Sequence, residues 1–230
     1  MMIEVVLDTE TTGLISGKDR IVEIACIELV NHFPTKKEFH QFINPDGVKV
    51  TSGAFETHGY TDEFLSTKPK FKDIAKDFLE FIKDKKLIIH NADFDIGMIN
   101  FELKKLSLAP IDKSQIIDTL KLAKEKLGGG SSVSLDALCK KFKIDYSLRE
   151  KHTALLDCKL LAQVYIELID KRELLLDLNE SSRNNIINKQ NMTPPGIIIP
   201  VSKEQKEEYI KFLKKNVTNA FALEKEKNIN

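Results

Sequence analysis

Five apolar runs along the chain have the length and pattern of β-strands. The first is a short continuous run that ends in an acidic residue, and the second alternates apolar and polar positions with a period of two. The third ends before the turn Pro45-Asp46-Gly47, so the first three strands should form an antiparallel meander. The predicted strands are residues 3–8, 20–30, 36–43, 87–89 and 116–119.

Apolar residues at helical spacing occupy most of the chain between and after these strands. The clearest case is 71–83, where six apolar side chains fall on one face. Ser134 is of a residue type that caps helix N-termini, and the segment 128–132, rich in glycine and serine, is predicted to be a flexible loop. The predicted helices are two short turns within 52–66, then 71–83, 95–105, a helix ending near 127, 134–142 and 152–170.

The composition changes near residue 179. Asparagine and serine are frequent in residues 179–191, and Pro194-Pro195-Gly196 follows, which is typical of a linker. Beyond it, the capping-box pattern Ser202–Gln205 precedes apolar residues that recur on one helical face. We therefore expect a globular domain at 1–178, a linker at 179–200, and a C-terminal helix and tail at 201–230 that folds back on this domain or docks on another chain.

The composition suits a globular domain with an additional segment: 42% of the 230 residues are hydrophobic and 30% are charged. Lysine plus arginine and aspartate plus glutamate both number 35, so no global positive charge attracts nucleic acid, although a local groove can still be basic. The cysteines, Cys26, Cys139 and Cys158, lack metal-site spacing and fit a reducing cytoplasm better than a disulfide scaffold. We expect neither a signal peptide nor a membrane span.

Two carboxylates, one residue apart, stand at the end of the first predicted strand. Because side chains alternate along a strand, Asp8 and Glu10 should point to the same face at its end. Burying two such charges costs on the order of several kcal/mol unless cations compensate, and a hard divalent ion such as Mg²⁺ prefers carboxylate oxygens. Taken alone, the stretch Asp8–Gly13 fits a polar strand end and turn equally well.

Two later stretches also bring acidic residues and histidines together. His90-Asn91-Ala92-Asp93-Phe94-Asp95 follows a buried strand, where either aspartate could instead cap the next helix. In His152-Thr153-Ala154-Leu155-Leu156-Asp157, the two end residues are five apart, which is about 140° apart around an ideal helix. We therefore expect His152 on the loop or first turn, from which it can swing toward the site of Asp157; a polar helix start is the alternative.

Together these three stretches resemble the DEDD superfamily of 3′–5′ exonucleases, in the subgroup with histidine in the last motif. Further segments are similar to the proofreading epsilon subunits of bacterial DNA polymerase III, and the resemblance covers residues 3 to about 170. Those segments are Arg20–Ala25, His58–Leu65 and Ser134–Phe142. The resemblance implies an α/β, ribonuclease-H-like fold, with a five-stranded mixed sheet and helices on both faces.

The resemblance also implies roles for individual residues. His152 would be the general base that takes a proton from the attacking water. Gly53 stands where epsilon subunits often have glutamate, so it could contact substrate only through its backbone. Asp93 replaces a small residue and could add charge near the metals or cap the helix, and we expect it to cap the helix. Two divalent ions, Mg²⁺ or Mn²⁺, would be held by Asp8, Glu10, Asp95 and Asp157. The DNA 3′ end would be bound by Asp8, Thr9, Glu10, Leu14, Gly53, His58 and Asp157.

The implied partners are a single-stranded or mismatched DNA 3′ end, the polymerase III catalytic subunit and the sliding clamp. Residues 173–178 resemble a clamp-binding peptide that lacks the usual glutamine, although they fit the amphipathic end of the preceding helix as well. A free-standing exonuclease acting on DNA or RNA is the main alternative, and the linker with its C-terminal helix argues against it. A non-catalytic adaptor is the other, and the complete set of carboxylates with His152 argues against that.

Overall fold

The computed structural model describes residues 2–128, 132–147 and 151–169, together with residue 207. The first three ranges belong to one compact unit, Met1–Glu180. Several predictions fall outside the described residues: the core of the Gly-rich loop at 129–131, the clamp-binding peptide at 173–178, the linker at 179–200, and the C-terminal helix apart from residue 207.

Five strands of the described chain form one mixed sheet in the order β3-β2-β1-β4-β5. Strand β2 is antiparallel to both of its neighbours, β1 and β3, whereas β4 runs parallel to β1 and β5 runs parallel to β4. The predicted meander and the predicted fold class are therefore confirmed. The strands are β1 (Ile3–Thr11), β2 (Ile21–Val30), β3 (Phe33–Phe42), β4 (Lys86–Ile89) and β5 (Ile116–Asp118).

Two strand boundaries differ from the predictions by three residues, and the other differences are of one residue. Strand β1 continues to Thr11, so its predicted end at Asp8 is wrong by three residues, and Glu10 lies within the strand as Asp8 does. Strand β3 begins at Phe33 because Asn31 and His32 both have positive φ, 50° and 71°, and make the two-residue turn that a right-twisted hairpin requires. A proline at the second position of β3 is tolerated because β3 is an edge strand.

Helices cover both faces of the sheet. The core on one face is built with α3 and α4, and the core on the other face is built with α5, α6 and α7. None of the helices in the described ranges is long and apolar enough to cross a membrane. The helices are α1 (Ser52–His58), α2 (Asp62–Ser66), α3 (Phe71–Ile82), α4 (Ala92–Lys105), α5 (Thr119–Leu127), α6 (Leu135–Phe142) and α7 (Ala154–Leu168).

The start of α4 is the largest departure from the predicted helices. The helix begins at Ala92, three residues before the predicted start, because Asn91 occupies the N-cap position in the left-handed conformation at φ 66°. Asp93 is therefore the second residue of the helix and not its cap, and its exposed carboxylate pairs with Lys121 at 3.1 Å. The expectation that Asp93 caps the helix is wrong. The cap predicted at Ser134 is confirmed, since its hydroxyl accepts from the Ala137 N–H.

Candidate active site

Strand β1 extends beyond the end of its neighbour β4, and this leaves an opening on that side of the sheet. Its pairing with β4 ends at Val6 and Ile88, whereas its pairing with β2 continues to Thr11. The first turn of α4 occupies the position where β4 would continue, and its residue Asp95 accepts hydrogen bonds from the N–H of Thr9 at 3.1 Å and from the Thr9 hydroxyl at 2.7 Å. A carboxylate from the helix layer on one face thus reaches the edge of β1.

The other acidic residues of the site come from the opposite face. Glu10 lies on β1, and Asp157 is the fourth residue of α7. His152 precedes that helix, as predicted, and its Nδ1 lies 3.4 Å from Oδ2 of Asp157. One potential ligand atom from each of Glu10, His152 and Asp157 lies within 4.8 Å of the other two. The structure therefore brings together residues from the first and third sequence motifs.

The segment that carries His152 is held from two sides. The His152 N–H donates to the carbonyl of Thr57 in α1 at 3.0 Å, and the Lys151 ammonium donates to the carbonyl of Glu56. On the other side, the Thr153 hydroxyl accepts from the Leu156 N–H and so caps α7. The imidazole itself remains half-exposed at the site, with 43% of its side chain accessible. Its backbone is therefore fixed while its ring is accessible to solvent.

The carboxylates perturb one another strongly. Burial raises the pKa of Asp8, and the charges of Asp95, Asp157, Glu10 and Glu23 raise it further. Burial also raises the pKa of Asp95 to about 7, although the hydrogen bonds from Thr9 act in the opposite direction. Ionising carboxylates crowded in this way costs free energy, which a bound cation would offset. An all-oxygen donor set with an adjacent imidazole fits a hard divalent cation, so the residues present suit the metal ions that the sequence implies.

A cleft of about 700 Å³ opens beside the carboxylates. Its lining includes five of the residues predicted to bind substrate: Thr9, Glu10, Leu14, Gly53 and His58. The other two, Asp8 and Asp157, are not part of this lining and belong to the carboxylate cluster. A cleft of this size that ends at a carboxylate cluster can admit the end of an extended polymer.

The loop after β1 presents Leu14 to the cleft with 83% of its surface exposed. Asp19 fixes the shape of this loop, because its carboxylate accepts from the Ile15 N–H at 2.8 Å and from the Thr12 hydroxyl at 3.1 Å. The chain also approaches itself closely here: a Cβ at Gly13 would lie 2.6 Å from Oδ2 of Asp19. Sequence reasoning missed Asp19. The adjacent glycine signals a close approach, but the group that approaches is defined only by the fold.

His58 and Gly53 lie on the α1 side of the cleft. His58 is 3% exposed, accepts from the Tyr60 N–H at Nδ1 and lies 3.2 Å from the Thr11 carbonyl at Nε2, which fixes the tautomer with its proton on Nε2. Burial lowers the pKa of His58, so the ring is neutral and supports the end of β1. A Cβ at Gly53 would meet nothing within 4 Å, so the glycine leaves the α1 wall of the cleft open.

Comparison with known proteins agrees with this arrangement. The family model described as Exonuclease matches residues 5–165. A DNA polymerase III subunit epsilon from Rickettsia conorii is 43% identical over 229 residues, which cover 95% of this chain and 98% of that protein. The corresponding protein from Rickettsia felis is 46% identical over 219 residues, covering 91% and 95% of the two chains.

Solved structures share the fold. Exonuclease X in complex with 5′ overhanging duplex DNA matches with a TM-score of 0.57 and 27% identity, covering 72% of this chain and 90% of that one. The nuclease domain of 3′hExo, a DEDDh family member bound to rAMP, matches with a TM-score of 0.63, covering 73% and 91% of the two chains, and at 17% identity it supports the fold alone. Since the family model spans well over half of the chain and relatives above 40% identity span nearly all of it, the chain belongs to the exonuclease family and, within it, to the epsilon subunits of DNA polymerase III.

Proposed function

We propose that this chain is a proofreading 3′–5′ exonuclease that removes nucleotides from DNA 3′ ends and releases nucleoside 5′-monophosphates. The observation that carries the proposal is the convergence of Glu10, His152 and Asp157 within 4.8 Å, beside Asp8 and Asp95, at the end of an open cleft. Each of these residues lies in one of the three motifs that resemble the DEDD exonucleases, and their order along the chain matches as well.

The enzyme depends on divalent metal ions, as is general for its family. We propose that Asp8, Glu10, Asp95 and Asp157 hold two such ions, Mg²⁺ or Mn²⁺. When bound, a pair of ions neutralises charge on the phosphate and stabilises both the attacking and the leaving oxygen. The raised pKa values of Asp8 and Asp95 support this assignment, because such carboxylates gain most from an added cation.

His152 is proposed to act as the general base. Its imidazole takes a proton from the water whose oxygen attacks the phosphorus of the terminal nucleotide. As the new P–O bond forms, the bond to the 3′-oxygen of the preceding nucleotide breaks, and that oxygen regains a proton from solvent. Asp157 lies 3.4 Å from Nδ1 and stabilises the imidazolium that forms.

The cleft is proposed to hold the terminal nucleotides of a single or frayed strand. Thr9 and the backbone of Gly53 line it, and exposed Leu14 offers an apolar contact to the last base. His58 supports the rim at Thr11, since both of its nitrogens already contact protein groups. Because a paired end must fray before entering such a cleft, mismatched ends should be cut faster than paired ones.

The proposed partner is the catalytic subunit of the polymerase. Support comes from the relatives, which are named as subunits of DNA polymerase III, and from the predicted helix at 201–222. Burying Ile210, Leu213, Val217 and Phe221 would contribute roughly 6–10 kcal/mol before ordering costs, at about 1.5–3 kcal/mol each. A linker at 179–200 would then raise the local concentration of the nuclease at the primer end. Contact with a sliding clamp through 173–178 remains a further proposal.

The decisive experiment is digestion of a 3′-mismatched DNA primer with Mg²⁺, Mn²⁺ or EDTA, with and without a polymerase catalytic subunit. We expect release of nucleoside 5′-monophosphates that EDTA abolishes and that Asp8→Ala or Asp157→Ala removes without unfolding the chain. Asp93→Ala is the matched control, because Asp93 is an exposed carboxylate of the second motif that pairs with Lys121 outside the cluster. Hydrolysis that persists in EDTA would contradict the two-metal proposal.

Truncation after Asn191 tests the docking proposal separately. If the C-terminal helix is a tether, the truncated protein keeps its melting temperature and its activity on single strands but no longer co-purifies with the polymerase. A large loss of thermal stability with polymerase binding intact would instead make the helix part of the nuclease domain.

A further inference from the structure

A buried carboxylate on β2 connects the elements that surround His152. Glu23 is 1% exposed and lies directly opposite Glu10 in the antiparallel register of β1 and β2. Its side chain therefore faces the same side of the sheet as Glu10, toward α7. Glu23 is not one of the residues that the sequence motifs single out for chemistry.

Three segments of the chain donate hydrogen bonds to this one carboxylate. The N–H of Ala154, the first residue of α7, donates to Oε2 at 3.0 Å, and the hydroxyl of Tyr60 donates to the same oxygen at 2.7 Å. Nε2 of His40 on β3 lies 2.7 Å from Oε1. Burial and the bond to Glu23 both raise the pKa of Tyr60, so its hydroxyl stays protonated and donates.

The hydrogen bonds of Glu23 involve the two segments that hold His152 in place. The first support is the N-terminus of α7, because Ala154 is two residues after His152 and three before Asp157. The second is the α1 region, since Thr57 accepts from the His152 N–H and Tyr60 follows α1 closely in the chain. The Glu23 carboxylate thus connects Tyr60, which follows α1, to the first turn of α7, which carries Asp157.

We propose that Glu23 is a positioning residue that holds His152 in register with Glu10 and Asp157 by anchoring the first turn of α7 to the sheet. The inference rests on the general-base role of His152 proposed above. Glu23 does not touch the substrate; it acts by accepting hydrogen bonds, so its shape and acceptor atoms matter more than its charge. Removal of groups that orient ligands of a metal site typically lowers activity by ~10–100-fold.

Two substitutions separate hydrogen bonding from charge. Glu23→Leu keeps the approximate volume but removes every acceptor. Glu23→Gln keeps an oxygen for Ala154 and Tyr60, while its amide group can donate to His40 in the other tautomer of that imidazole. We expect Glu23→Leu to lower kcat on single-stranded DNA by ~10–100-fold with KM changed by less than about twofold, and Glu23→Gln to recover most of the lost turnover.

Glu28→Leu is the matched control for general destabilisation. Glu28 is a buried glutamate of the same strand, 3% exposed, but its contacts are to Lys85, Lys37 and Thr35, away from α7. All variants are assayed below their melting temperatures, with circular dichroism to verify folding. Equal losses of turnover in Glu23→Leu and Glu28→Leu, or equal losses in Glu23→Leu and Glu23→Gln, would overturn the proposal.

A double-mutant cycle gives the sharpest test. If Glu23 acts through His152, then Glu23→Leu lowers turnover little further once His152→Ala has already lowered it, by ~10²–10⁴-fold for a positioned base. Multiplicative losses would show that Glu23 acts by a separate route and would overturn the inference while leaving the base assignment intact. Full turnover in His152→Ala alone would instead refute both the base assignment and the inference.

Discussion

The N–H and the hydroxyl of Thr9 both donate to the same oxygen of Asp95, at 3.1 and 2.7 Å, and so join two motifs that are 86 residues apart. This contact is possible because β4 stops short of β1 and leaves the Thr9 N–H without a strand partner. A site residue of the helix layer therefore satisfies a donor of the central strand. These hydrogen bonds orient Asp95. They also lower the free-energy cost of ionising its carboxyl group, a cost that burial raises.

Thr9→Val should therefore impair the enzyme although Thr9 bears no charge. Valine fits a strand and keeps the branched shape, but it removes the hydroxyl that favours the ionised form of Asp95. We expect turnover to fall about tenfold, as for other groups that orient ligand side chains. Since the pKa of Asp95 then rises above its value of about 7, the deficit should be larger at pH 6.5 than at pH 8.5.

The control for this variant is Thr35→Val, which changes a strand threonine whose hydroxyl lies 3.4 Å from Glu28 and not at the site. Its turnover should stay near that of the parent enzyme at both pH values. A deficit in Thr9→Val that is independent of pH would mean that the hydroxyl orients Asp95 without assisting its ionisation.

The raised pKa values of Asp8 and Asp95 also determine how the metal-free protein responds to pH. The folded chain binds more protons than the unfolded chain between the unfolded pKa of 3.8 and the folded value of about 7 for Asp95, so stability declines as pH rises through this window. In EDTA, we therefore expect the contribution of these two groups to make the melting temperature higher near pH 5 than near pH 8.

Bound metal ions should offset the loss of stability that the ionised carboxylates cause at higher pH. At about pH 8, adding Mn²⁺ or Mg²⁺ should raise the melting temperature, because an ion that binds only the folded state stabilises it. Asp95→Asn should raise the melting temperature in EDTA, since it removes one crowded charge, and should reduce the gain from metal. Differential scanning calorimetry measures both effects. A parent melting temperature insensitive to metal would contradict the assignment of the carboxylates as ligands.

The sequence predicts most of the fold because the elements that carry it have strong local periodicity. The buried strands and the helix at 71–83 are examples, and they lie within one to three residues of their predicted bounds. The predicted bounds are wrong where strand pairing or an unusual backbone conformation, and not local periodicity, determines where an element begins or ends. Thr9 to Thr11 form strand because they pair with β2, although the segment has no apolar pattern, and α4 begins at Ala92 because Asn91 adopts a left-handed conformation.

For the candidate site, too, some residues could be predicted from the sequence and others could not. The resemblance of the three motifs to the DEDD exonucleases predicts Asp8, Glu10, Asp95, His152 and Asp157 as site residues, and the structure places these side chains near one another. The groups that hold them in place could not be identified, since their role depends on which strand residues lie opposite one another. Glu23 is an example: only the pairing of Glu10 with Glu23 sets it beside the start of α7.

Gly13→Ala tests the close packing under the cleft loop. The new Cβ would lie 2.6 Å from the Asp19 carboxylate, so either the loop or Asp19 must move, and the hydrogen bonds of Asp19 to Thr12 and Ile15 should weaken. We expect a loss of stability of ~1–3 kcal/mol and a KM for single-stranded DNA raised several-fold, because Leu14 is displaced. Gly128→Ala, at the end of α5 and outside the cleft lining, should lower stability through its positive φ of 76° without changing KM.

Leu14→Ala tests the proposed contact to the terminal base without disturbing the fold. Because 83% of Leu14 is exposed, its removal should leave the melting temperature unchanged, yet it should raise KM for single-stranded DNA by about threefold to tenfold, the loss expected for an apolar contact worth ~1 kcal/mol. Leu108→Ala is the matched control, since Leu108 is also exposed, at 41%, but does not line the cleft. If both variants bind and cut DNA like the parent, Leu14 is merely an exposed loop residue; if Leu14→Ala alone raises KM while kcat persists, the loop after β1 binds the strand end.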